Sequence, residues 1–102
     1  MRGRRSTAEE DLIRWREVPA AVVLKALCDH CKADSTFRPA GDPGTTRWHG
    51  RIGIREFEFI LSGPKFFDTR TRRGGGGAVD LAMVLLDVNF RRAVSALQAA
   101  SL

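Results

Sequence analysis

The chain has 102 residues, 43% of them apolar and 28% charged, with a net charge of +5 and a pI near 10.2. These values describe a small folded domain rather than a disordered chain, and they point to an anionic partner. No apolar run approaches the roughly 20 residues that span a bilayer, and no hydrophobic segment follows the Met-Arg-Gly-Arg-Arg start, so the expectation is a cytoplasmic protein with no membrane partner.

Residues 1–7 are expected to form a flexible basic arm, and residues 8–102 a single domain. From Ala8 to Arg16, acids come early and arginines late, which suits a short helix that Ser6 or Thr7 would cap. Pro19 opens a second helix expected to run to about Cys31, with Val22, Val23, Ala26 and Leu27 as its buried stripe. Cys28 and Cys31 form the Cys-x-x-Cys of this chain. They are best taken as reduced structural cysteines, with half a zinc site or a redox pair as alternatives, and His49 is the one further soft ligand in reach.

Ala40 to Thr46 is a loop by composition. Trp48, Arg51 and Ile52 belong to a first strand, and Phe57, Phe59 and Leu61 alternate with Glu56, Glu58 and Ile60 in a second. The alternation slips near Gly53 to Glu56, which requires a turn there. Lys65 to Thr69 is a short third strand, and adjacent Phe66 and Phe67 must point to opposite faces of it. Arg70, Arg72 and Arg73 lead into Gly74 to Gly77, a loop expected to offer bare backbone N–H groups. Two helices follow: Val79, Ala82, Met83 and Leu86 make one face, and Phe90, Ala93, Val94 and Leu97 the next, with Asn89 as the cap between them. The expected fold is α+β, a three-stranded antiparallel sheet with N-terminal helices and a C-terminal helical pair.

The stretch from Phe57 to Leu97 resembles the zinc-binding domain of bacterial DnaG-type primases and its relatives on mobile elements. The resemblance rests on a strand ending in aromatics, a glycine-rich knuckle, the helix Gly76-Gly77-Ala78-Val79-Asp80-Leu81, and a last helix opening at Asn89 and Phe90 and carrying Ala93, Val94 and Leu97. It implies a zinc-ribbon-like sheet and contact with single-stranded DNA during replication or transfer of a mobile element. In that family zinc is held by Cys and His, but the knuckle here carries Thr69, Arg70, Arg72 and Arg73, so a zinc-free relative with no metal site and no cofactor is expected.

The candidate nucleic-acid contacts are Trp48, Arg51, Lys65, Phe66, Phe67, Arg70, Arg72, Arg73, Gly75 and Gly76. Arginine suits phosphate, exposed aromatic rings suit bases, and glycines admit a close backbone approach. No catalytic residue is expected: Glu56 and Glu58 share a strand face but fit a solvated surface, and no nucleophile stands beside His30 or His49 beyond the weak Cys28–His30–Cys31 cluster. The alternative is a protein adaptor, docking a polymerase, relaxase or helicase or pairing as a homodimer through the apolar end of the last helix.

Overall fold

The computed structural model describes residues 8–102. Its element order is α1 (Ala8–Trp15), α2 (Ala20–Leu27), β1 (His30–Ala33), β2 (Thr46–Ile52), β3 (Arg55–Ser62), β4 (Lys65–Asp68), β5 (Arg73–Gly76), α3 (Ala78–Leu86) and α4 (Phe90–Ala99). The expected basic arm and its capping residues, Ser6 and Thr7, lie outside the described residues.

The sheet is an antiparallel meander of five strands in the order β1-β2-β3-β4-β5, not the three-stranded zinc-ribbon-like sheet expected. Two segments account for the difference. The second helix stops at Leu27, because Cys28 turns extended and the Asp29 N–H donates to the Arg51 carbonyl. His30 to Ala33 then pair with Arg51 to Trp48 as an edge strand. At the other edge the glycines are not a loop: Gly74, Gly75 and Gly76 pair with Phe67, Phe66 and Lys65. The expected turn is present, with Ile52 opposite Arg55 and Gly53 at a φ of +61°, where a side chain would be strained.

All four helices occur, but their buried faces differ from the expected stripes. Ala20, Val23 and Leu24 are buried on α2, whereas Val22 is 40% exposed. Ala78, Leu81, Ala82 and Leu85 are buried on α3. On α4, Ala93 and Leu97 are buried and Phe90 is half exposed. These residues cover one face of the sheet and meet Phe57, Phe59, Leu61 and Phe66 in one core with Trp15. Phe57 and Phe59 stack at 5.7 Å between centroids, and Phe66 meets Phe59 edge-on at 5.9 Å.

Polar side chains fasten the helices. Asn89 Oδ1 accepts the Arg92 N–H at 2.9 Å and caps α4 as expected. The Arg55 guanidinium lies over the Phe57 ring at 5.0 Å and donates to the Leu85 carbonyl at 2.7 Å, where the dipole of α3 favours a cation. Asp11, 2% exposed, accepts from Arg14 and Gln98 at 2.8 Å each and ties α1 to α4.

Candidate nucleic-acid interface

Residues directly opposite in an antiparallel pair project to the same side, so the register assigns every side chain to a face. The helix-covered face carries Cys31, Trp48, Gly50, Phe57, Phe59, Leu61, Phe66, Asp68, Arg73 and Gly75. The opposite face carries three cross-strand rows. One runs His30, Arg51, Glu56; the next runs Lys32, His49, Glu58; the third runs Arg47, Ile60, Phe67. Lys65, beside Ser62, lies beyond the third row. No described helix covers this face.

The expected contact residues therefore separate. Arg51, Lys65 and Phe67 share the open face, and Arg70 joins them by reaching over β3: its Nη1 donates to the Glu56 carbonyl at 3.3 Å and its Nη2 lies 4.0 Å from Glu56 Oε1. Phe67 is 38% exposed, with Ile60 beside it. Phe66, 5% exposed, belongs to the core, so of the two adjacent rings Phe67 is the exposed one. Trp48 also faces the helices. It is half-buried, with the Lys25 ammonium 5.5 Å from its ring centroid and its indole N–H donating to Thr46 Oγ1 at 3.1 Å.

Gly75 lies beneath the Phe66 ring. A Cβ there would stand 2.8 Å from Phe66 Cζ, so this glycine makes room for a core side chain. Gly76 has no such neighbour, and its N–H donates to Asp80 Oδ2 at 3.3 Å. Arg72 and Arg73 are exposed at the β4–β5 turn, Arg72 with a φ of +61°. Asp68, 4% exposed, builds that turn: Oδ1 accepts the Arg70 N–H at 2.9 Å and the Thr71 N–H at 3.3 Å, and its carbonyl accepts the Arg72 N–H at 2.7 Å. One buried carboxylate thus sets the positions of the exposed arginines.

The open face also holds residues that were not among the expected contacts: His30, Lys32, Arg47 and His49. The signal was in the alternation His30-x-Lys32 and Arg47-x-His49-x-Arg51, with Cys31, Trp48 and Gly50 on the other side; assigning His30 and Cys31 to a helix concealed the first half of it. Arg47 is engaged, donating twice to Asp34 Oδ2 at 2.6 and 2.9 Å and lying over Phe37 at 5.4 Å. Hydrogen bonds from Thr36, then Arg47, hold the Asp34 carboxyl well below the usual carboxylate range and raise Arg47 above its ordinary value. Glu58 is engaged as well, accepting from Thr69 Oγ1 at 2.6 Å and lying 3.6 Å from Arg47 Nε.

Cys28 and Cys31 are unpaired thiols. Burial, then the neighbouring Cys31 and Asp29, pushes the Cys28 thiol up to about 11 against an opposing backbone N–H of Arg51. Burial raises Cys31 too, against the pull of Lys25. A Cβ on Gly50 would lie 3.0 Å from Cys28 Sγ, so the sulfur fills the space that this buried glycine leaves. Among the described residues no three His, Cys, Asp or Glu side chains form a cluster able to hold a metal. Likewise, among the described residues no helix is long and apolar enough to cross a membrane. Comparison with protein-family models, curated proteins and solved structures finds no match to this chain.

Proposed function

We propose that this protein is a non-catalytic module that binds single-stranded nucleic acid, DNA in the first instance, across the open face of its sheet with low sequence specificity. The observation that carries this reading is the placement of an exposed aromatic ring, Phe67, on the same helix-free face as Lys32, Arg51, Lys65 and Arg70. A sheet with a stacking platform among cations is a construction that holds unpaired bases, because the ring takes a base face while the cations neutralise phosphates. Arg72 adds a further exposed cation at the β4–β5 turn, whereas Arg73 projects to the helix side. We place the protein in the cytoplasm, and its kinship with zinc-free primase-type domains of mobile elements remains part of this proposal.

Fluorescence anisotropy with an internally labelled oligonucleotide is the test. Four phosphate contacts on a single strand predict a slope of log K against log salt of about −3. Phe67→Ala should weaken binding at every salt concentration, whereas Arg51→Gln should also flatten the slope. Absence of salt-dependent binding in the low-salt range would refute the proposal.

A further inference from the structure

The first two open-face rows end in a groove of about 720 Å³, lined by His30, Lys32, His49, Arg51, Glu56 and Arg70 and bounded by the turn from Asp34 to Thr36. This is within the size range of ligand pockets. We propose that the groove is a pocket for a phosphomonoester, the phosphorylated end of a nucleic-acid strand. The inference rests on the open-face reading above and adds a preference for strand ends to it.

Five basic side chains converge on the groove, and the acids around it are partly committed: Asp34 to Thr36 and Arg47, Glu58 to Thr69 and Arg47 with His49 at 3.9 Å, and Glu56 to Arg70. Among the described residues Lys32 and Arg51 make no ion pair, and neither they nor His30 make a side-chain hydrogen bond. Both cations therefore remain available to an anion, with the Glu56 carboxylate opposite Arg51 as the competing charge.

A phosphodiester presents two free oxygens and one charge. A monoester presents three oxygens and, near neutrality, close to two charges. The forked guanidinium groups of Arg51 and Arg70, the Lys32 ammonium and two imidazoles supply more donors than a diester can occupy, and forked donors suit a terminal phosphate.

Phe67 stands two strands and two residues from His49, on the order of 12 Å in a pleated sheet. An end nucleotide and its neighbour bridge such a gap, so a strand with its phosphate in the groove can lay its following base on Phe67.

Three oligonucleotides of one sequence, with a 5′-phosphate, a 3′-phosphate or hydroxyls at both ends, separate the possibilities. The expected result is 5- to 20-fold tighter binding of at least one phosphorylated form, and the arm that gains identifies the end. Lys32→Gln and Arg51→Gln should each erase that gain, Arg51→Lys should restore part of it, and circular dichroism should confirm that all three variants are folded. Equal affinity for all three oligonucleotides overturns the pocket and leaves the open-face reading intact. If no oligonucleotide binds, a nucleoside monophosphate titrated against the His30 and His49 ring signals decides: shifts at both support the pocket alone, and unmoved signals refute the pocket together with the open-face reading.

Discussion

The two faces of the sheet follow opposite rules although they alternate along the same strands. On the helix side, Phe59 and Leu61 are 0% and 3% exposed, and the Phe59 ring packs against those of Phe57 and Phe66. On the open side, Arg51, Glu56 and His49 stay in water, and the one large exposed ring of β4 has no helix above it. The first face is determined by volume, where a single added carbon at Gly75 would be felt. The second is determined by charge and by what has been left unpaired. Stability and binding should therefore be separable between neighbouring residues.

Phe66 and Phe67 give the sharpest way to break this contrast. Phe66→Ala should cost about 3–5 kcal/mol of stability in urea unfolding, because it empties a core site. Phe67→Ala, at a ring 38% exposed, should cost less, about 1–2 kcal/mol, yet weaken oligonucleotide binding by about 1–3 kcal/mol, the worth of one stacked base. Equal stability losses for the two would dissolve the distinction. Next in size, Asp68→Ala should cost about 1–3 kcal/mol by stripping the β4–β5 turn of its buried acceptor, and amide exchange should quicken at Arg70 and Thr71.

Gly75→Ala should cost about 1–3 kcal/mol in thermal unfolding, since the new methyl group overlaps the Phe66 ring. Gly76→Ala, where the added carbon would meet only Lys65 Cγ at 3.9 Å, should cost much less; a reversed order would mean that the strand edge, not the core, selects the glycines. The smallest effect concerns pH. Cys28 favours the protonated thiol when folded, so the stability it contributes is intact below the ordinary thiol range and is lost as pH climbs toward about 11. Iodoacetamide labelling of Cys28 at pH 8 should accordingly be slower than that of a free thiol and accelerate steeply at higher pH.

How much of this was legible before the structure depended on whether local pattern and tertiary environment agreed. β3 announced itself, because Phe57, Phe59 and Leu61 recur at every second position and are all buried. The cap at Asn89 was equally plain. The helix faces were not: α2 and α3 are apolar nearly all round, so several stripes fit, and the sheet rather than the period selects among them. β1 was hidden because four residues following an apolar helix carry little strand signal of their own and are made a strand by pairing with β2. The same applies to Arg73-Gly-Gly-Gly, whose composition signals a loop and whose partner strand makes it an edge. Of the candidate contacts, the third strand and its alternating phenylalanines were readable. The groove was not, since half of it lies on the strand that could not be seen.

The unbroken order of the meander has a kinetic corollary. Each strand pairs with the strand next to it in the chain, so the sheet can be assembled one hairpin at a time with no crossover to thread. Such local closure is the cheap kind, and it favours rapid folding for a β-containing domain. Among the non-local events is the docking of α1 against α4 through Asp11 and Gln98. If that clasp closes last, mutations in it will act mainly on the unfolding rate, while changes to the β2–β3 turn will act on the folding rate.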